Sequence, residues 1–420
     1  MRRQRPPGFG GESSITPDRK SLRSGVSSAL VNRFQYPVSR QSTYAVFAVF
    51  FVESAVLGNW IPRIPELKAK LELSDTGLGL CLLAVPLGTI LGLLVAGRIL
   101  EVIGLRKGCQ LFLPLWALFF MLPSQANTSV LFAASLVLCG ATVGLVEVAM
   151  NTTADAIERF RGIRIMSRCH GFWSLGSMAG AIAGSALAQM AIDVKWHFGV
   201  MMPLLAILGY VAASKIEENE IASADNTHAD DASHFRLPSR AILLLCIMPL
   251  GIMSIEGAFI DWSAVFMDSI LSASPWVIGL TYAFFSVVMA SVRLSGDMLA
   301  DRFGAYTIVR TSGLAAAAGI ILFAMAPSVP VALLGAALSG LGVAVVYPMA
   351  VTAAARRPGR SSADNVAALT MISFCAFLVA PPIIGFISDC LGLRWALALL
   401  APLALKTWRL ASEVNPEKSQ

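Results

Sequence analysis

Glu53, Glu147, Glu256 and Asp261 each stand inside a long run of apolar residues, where water cannot solvate a carboxyl. An acid at the centre of a membrane helix costs about 2.5–3.5 kcal/mol on insertion scales, so its presence asks for a task. Away from water a carboxyl can gain and lose a proton near neutral pH, and it can hydrogen bond a hydroxyl. Glu53 lies about ten residues into its run, roughly 15 Å at 1.5 Å per residue, hence near mid-bilayer. Gly140, Gly144, Glu147 and Asn151 are spaced to share one helix face, small residues first and polar ones further in. Glu256 repeats Glu53 later in the chain, with Asp261 and Trp262 beyond it. Two readings stay open for each acid: proton exchange with cargo binding, or a hydrogen bond between helices. Trp173, His170 and Tyr347 are candidate cargo contacts beside Asn151, since ring faces stack on sugar C–H surfaces while amides bond hydroxyls. For His170 the favoured reading is a structural histidine at the cytoplasmic end of its helix. Arg293 could pair with Glu256 or Asp261, or lie near the cytoplasmic end of its helix.

The elements that must position these groups follow from composition. Of 420 residues, 56% are hydrophobic and only 14% charged, against roughly 25% charged in an average soluble domain. So few charges cannot cover a water-soluble surface of this size, and lipid is the solvent for most of the chain. Apolar runs long enough to span a bilayer fall near 43–60, 77–97, 109–126, 129–152, 168–191, 197–214, 240–266, 275–299, 306–326, 329–354, 366–388 and 392–411. Backbone groups in lipid must be satisfied within the segment, and the alternation of a barrel is absent, so each run reads as a helix. Pro249, Pro348 and the Pro381–Pro382 pair should break several of them. With both termini inside, the inner loops and C-terminal tail carry eighteen Lys and Arg against five outside. The net charge of +6 therefore reads as membrane orientation and not as nucleic-acid binding. Seven scattered cysteines without a CxxC and only four histidines argue for apolar filling, not for a disulfide framework or a metal site.

Residues 1–42 form a polar, basic tail that is expected to be cytoplasmic, and 215–239 an acidic linker between six-helix bundles at 43–214 and 240–411, followed by a tail at 412–420. The two bundles look like copies. At an offset of 200, Ser74 falls on Ser274, Gly79 on Gly279, Leu80 on Leu280, Gly104 on Gly304 and Gly140 on Gly340. Near the first span the offset drifts, pairing Glu53 with Glu256 and Trp60 with Trp262. Such a duplication is the repeat logic of secondary transporters, whose cargo site lies between the halves. Gly176, Gly180 and Gly184 are spaced for close helix packing.

After the second span the chain reads Gly97-Arg98-Ile99-Leu100-Glu101-Val102-Ile103-Gly104-Leu105-Arg106-Lys107, and after the eighth Gly296-Asp297-Met298-Leu299-Ala300-Asp301-Arg302-Phe303-Gly304. Both resemble the GxLaDRxGRR loop of the major facilitator superfamily. The resemblance implies a fold of twelve transmembrane helices in two pseudo-symmetric six-helix bundles, all α, in which these loops latch the outward-facing state. The first copy departs from the pattern at Glu101 and Val102, which weakens the implied latch. The stretch from Glu147 to Asn151 and that from Met166 to Gly176 resemble the L-fucose–proton symporter-like branch. They are also similar to its uncharacterised bacterial inner-membrane relatives, among them a rhizopine-associated membrane protein. That branch places two acids on the first and fourth spans, where Glu53 and Glu147 stand, and assigns them to proton coupling and substrate binding.

No GxxxxGK[ST], GxSxG or HExxH occurs, so neither a nucleotide motor nor an enzyme is expected. The reading is a secondary active transporter, expected to work by proton-coupled symport of a small polar solute (a sugar, polyol or inositol derivative) through alternating access. A proton-coupled exporter of drugs or metabolites and a non-transporting sensor on the same fold are the alternatives. The expected partners are a small-molecule substrate, protons and the lipid bilayer, with no nucleic acid, no cofactor and no metal. The chain is expected to act as a monomer in a bacterial cytoplasmic (inner) membrane.

Overall fold

Helices account for the architecture, and no strand occurs among the described residues. The computed structural model describes residues 40–218, 240–357 and 362–415. Most of the expected basic tail (1–39), most of the linker (219–239) and the end of the C-terminal tail (416–420) lie outside them, and Asp297 is described by its backbone alone. In chain order the helices are α1 (Gln41–Trp60), α2 (Ile64–Lys70), α3 (Asp75–Leu82), α4 (Ala84–Ile103), α5 (Leu105–Phe119), α6 (Met121–Gln125), α7 (Ser129–Arg161), α8 (Met166–Gln189) and α9 (Val194–Ser214). After the linker come α10 (Arg240–Ile247), α11 (Leu250–Asp261), α12 (Ser263–Ser269), α13 (Pro275–Phe303), α14 (Ala305–Ala324), α15 (Val329–Val343), α16 (Val346–Ala355), α17 (Ser362–Leu391), α18 (Leu393–Ala398) and α19 (Ala401–Leu410). Among the described residues ten spans are long and apolar enough to cross a membrane; α8, with its glycines and polar residues, and the interrupted α18–α19 bring the described spans to twelve.

Where the helices differ from the expected runs, the reason is local. The fourth span continues to Arg161, well past 152, and stops at Gly162, whose φ of +65° gives a left-handed cap. Arg159 and Arg161 in its last turn complement the helix dipole. The seventh span is three segments and not one helix, because Pro249 has no N–H to continue the ladder and the chain breaks again after Asp261. Thr407 on α19 donates to the Met248 carbonyl at that interruption, 2.6 Å away. In the tenth span Pro348 cannot donate to the carbonyl four residues back, that of Ala344, and the helix is interrupted between Val343 and Val346. Pro381 and Pro382 instead lie inside an uninterrupted α17.

The copies seen in the sequence recur in the backbone. Gly104 and Gly304 have φ of +82° and +80°, a conformation L side chains rarely adopt, at the turns after α4 and α13. A β-carbon at Gly140 would overlap the Val85 carbonyl oxygen, and one at Gly340 would overlap that of Phe285, the matching residue 200 positions on. Within the first half α1 packs on α8 and α4 on α7; within the second, α15 packs on α14 and α13. The halves meet through α8 against α13 and α3 against α17. Each half has its own aromatic core, Trp60 with Phe120, Phe132 and Phe198 in the first and Phe259 with Phe285, Phe323 and Phe266 in the second. Leu87, Leu91 and Leu94 point outward from α4 in a stripe suited to acyl chains.

Candidate functional site

The first half contributes two carboxyls. Glu53 on α1 is 2% exposed and accepts a hydrogen bond from the Trp173 indole N–H on α8, 2.7 Å away. Its own backbone carbonyl accepts from the Trp116 indole at 3.1 Å. This closeness depends on glycine. A β-carbon at Gly176 would overlap the Phe51 carbonyl, one at Gly184 would sit 2.8 Å from that of Asn59, and Gly180 fits between them against Ala55. The row lets α8 lie directly on α1, so Trp173 reaches the acid. Glu147 on α7 is half-buried, and the Asn151 amide one turn on donates to both its backbone carbonyl and its Oε2, each at 2.8 Å. Glu53 and Glu147 lie close enough to feel each other's charge. Neither forms an ion pair with a cation among the described residues.

Facing them, the second half presents Tyr347 on α16, whose hydroxyl donates to Thr370 Oγ1 on α17 at 3.0 Å and lies within electrostatic reach of Glu147. The second half also pairs its acid. Arg293 on α13 donates through Nη2 to Glu256 Oε1 at 3.0 Å, and through Nε to the Ala344 carbonyl at 3.1 Å, the carbonyl that Pro348 leaves without its helical donor. One guanidinium therefore ties the seventh, eighth and tenth spans. Of the openings left for Arg293, the structure takes Glu256. His170 packs edge-on against Phe50, ring centroids 5.5 Å apart, and lies within reach of the Arg293 charge. Asp261, five residues beyond Glu256 and half-buried, has no hydrogen-bond partner among the described residues.

Glu53, Glu147, Asn151, Trp173 and Tyr347 thus form one cluster, and Glu256, Arg293 and His170 a second. The loop residues stand apart from both. Gly97, Glu101, Gly104, Asp301, Arg302 and Gly304 lie at or beside the turns after α4 and α13; the side chains of Glu101, Asp301 and Arg302 are exposed and form no ion pair or hydrogen bond among the described residues. Arg302 lies over the Phe303 ring, and Arg106 donates to the Ser214 carbonyl at 2.8 Å, within the first half. Sequence reasoning missed Trp116, which leaves no periodic signal, and the buried Ser177–Tyr282 bond of 2.9 Å that crosses between the halves.

Comparison with known proteins bears on family and fold. A profile of the Major Facilitator Superfamily matches residues 45–363 and 252–410. An uncharacterised transporter of that type from Yersinia pestis is 31% identical over 85% of this chain and 91% of its own length. Membrane protein MosC of Rhizobium meliloti is 29% identical over 87% and 88%. Among solved structures, the nucleoside transporter NupG superposes with a TM-score of 0.69 at 10% identity, covering 88% of this chain and 98% of its own. A D-xylose–proton symporter gives 0.65 at 15% identity over 89% and 99%. The fucose:proton symporter FucP gives 0.55 at 16% over 89% and 98%. At these identities the structural likeness concerns the fold.

Proposed function

Since the chain belongs to the Major Facilitator Superfamily and is an integral membrane transporter, not an enzyme, we propose that it carries a small hydroxylated solute together with protons. The cargo class is a sugar, polyol or inositol derivative. One observation carries this reading: two carboxyls from different helices of one half, Glu53 and Glu147, share electrostatic contact without a neutralising cation among the described residues, opposite Tyr347 of the other half. Two carboxyls on adjoining helices give a transported proton a place to rest beside the cargo. Asn151, Trp173 and Tyr347 supply donors and ring faces for a hydroxylated cargo. The names of the superposing symporters and of the nucleoside transporter point to the same chemical class.

In this mechanism the cargo and a proton enter between the halves, the proton resting on the Glu53–Glu147 pair. The neutralised site then becomes cheap to occlude, and the halves rock to expose it on the other side. Glu256 is held by Arg293 and serves as the fixed, charge-balanced wall of the site. The excess of Lys and Arg at the turns after α4, α7 and α16 supports a topology with both termini cytoplasmic, and a monomer in a bacterial inner membrane is part of the same proposal. The test is accumulation by purified protein in proteoliposomes under an imposed pH gradient, screened over sugars, polyols and inositols. Uptake that follows the gradient and collapses with a protonophore supports the reading. Facilitated flux of a hydroxylated solute that is blind to the gradient removes proton coupling; no flux of any solute in the class removes the cargo assignment.

A further inference from the structure

At the end of the molecule where α1 finishes, the two halves hold each other by the starts of two helices. Asp389 near the end of α17 accepts from the backbone N–H of Asp75 through Oδ1 at 3.1 Å and from that of Thr76 through Oδ2 at 2.9 Å. These are the first donors of α3, which a helix start leaves without internal partners. Across the molecule, Gln189 at the end of α8 accepts from the backbone N–H of Trp276, the second residue of α13, at 3.1 Å. Trp276 is Thr76 moved on by 200, and Asp389 is Gln189 moved on by 200. The contacts beneath repeat as well: a β-carbon at Gly79 would sit 2.5 Å from the Pro381 carbonyl oxygen, and one at Gly279 would sit 2.7 Å from that of Ala181, again 200 apart in both members. All of these contacts join one half to the other.

The two sides differ in chemistry. Asp389 is charged, takes two N–H donors at once and sits on the positive end of the α3 dipole. Gln189 is neutral and takes one. Ser388 donates to the Asp75 carboxylate, which Lys68 also pairs with, and the Lys68 charge reaches Asp268 on α12 of the other half. Burial lifts the Asp268 carboxyl above its ordinary range while Lys68 pulls it back. The charged side is thus a network, whereas on the other side Gln189 makes the one side-chain bond at the helix start, with Ser177–Tyr282 deeper between the same two helices.

We propose that these paired helix-start contacts form the gate at the Asp75 end, that they hold this end closed when no cargo is bound, and that Asp389 dominates the balance while Gln189 trims it. The inference rests on alternating access and on neither the cargo nor the coupling ion. Opening this end must separate α3 from α17 and α8 from α13, so every closed molecule keeps these bonds and every open one loses them. An interaction made in only one of two states shifts their ratio by its full worth.

The experiment uses full-length protein in nanodiscs with the exposed Cys375 and Cys390 changed to serine, spin labels at Asn127→Cys and Ser328→Cys, and pulsed distance measurement without cargo. Both label sites are exposed, at this end, on opposite halves. Asp389→Ala is expected to raise the ratio of long to short distances roughly tenfold and Gln189→Ala about threefold, the range of a lost helix cap. Asp389→Asn keeps one acceptor and should fall between; it also serves if the alanine variant does not fold. A two-population distribution that ignores Asp389 and Gln189 overturns the gate while leaving alternating access standing. Equal effects of the two alanine variants overturn the dominance of Asp389. A single distance in every variant, with or without acid, refutes alternating access itself.

Discussion

Replacing Glu147 by glutamine tests the proposed proton exchange apart from the hydrogen bonds this residue makes. The Asn151 amide donates to Glu147 Oε2 and to the Glu147 backbone carbonyl, each at 2.8 Å, and glutamine keeps both acceptors and nearly the same shape. What the fold loses is the difference between a charged and a neutral acceptor, about 1 kcal/mol, or about 2 °C in Tm. The transport consequence is larger. One pH unit is worth 1.36 kcal/mol per proton, so one-to-one symport concentrates cargo about tenfold per unit of gradient. Over a gradient of about two units the unaltered protein should approach a hundredfold accumulation, and Glu147→Gln should stop at equality while still exchanging labelled for unlabelled cargo. The assay is accumulation and counterflow in proteoliposomes from one preparation, with a thermal melt alongside. Gradient-driven accumulation by Glu147→Gln at the level of the unaltered protein would refute the reasoning, and so would loss of counterflow with an unchanged melt.

Trp173→Phe removes the donor to Glu53 and should lower stability by about 1–3 kcal/mol in a thermal melt, whereas Glu53→Gln, which keeps the acceptor, should melt within about 1 kcal/mol of the unaltered protein. Gly140→Val and Gly340→Val push a side chain into the Val85 and Phe285 carbonyls and should each cost about 1–3 kcal/mol or more, while Gly97→Ala, with open space around it, should leave the melt unchanged. Arg293→Met strips partners from both Glu256 and the Ala344 carbonyl and should cost about 3 kcal/mol by denaturant titration in detergent; Glu256→Gln, which leaves an acceptor for Arg293, should cost about a third of that.

The helix count was legible in the sequence because lipid leaves the chain few choices: an apolar run of sufficient length has to close its hydrogen bonds internally. The interruptions were only partly legible. Pro249 and Pro348 each accompany a break, since the missing N–H orphans a carbonyl four residues back. Pro381 and Pro382 break nothing in α17, and their sequence context looks no different. What differs is tertiary: the α3 glycine at position 79 lies against the Pro381 carbonyl, so a neighbouring helix braces the segment. Lone apolar-embedded acids were legible as exceptions, but their partners were not. Nothing in the spacing tells that Glu53 would meet Trp173 from 120 residues away, or that Arg293 would find both Glu256 and a carbonyl released by a proline.

The duplication explains which parts keep their register and which do not. Contacts in which one backbone touches another through a glycine tolerate no shift, and these are the ones that recur 200 residues apart, at Gly79 and Gly279 and at Gly140 and Gly340. Side chains that reach into the space between the halves are free of that constraint, and there the copies keep position while changing chemistry. Glu147 corresponds to Tyr347, and His170 to Thr370. In the second half those two positions are hydrogen bonded to each other at 3.0 Å; in the first they are an acid clamped by Asn151 and a ring packed on Phe50. Among the described residues, the adjoining pair of acids without a cation partner therefore lies in the first half, while in the second half Glu256 is locked by Arg293 and Asp261 stands alone. Two halves with the same scaffold and unequal charge can rock symmetrically and still respond to a proton on one side of the site, which is what coupling requires.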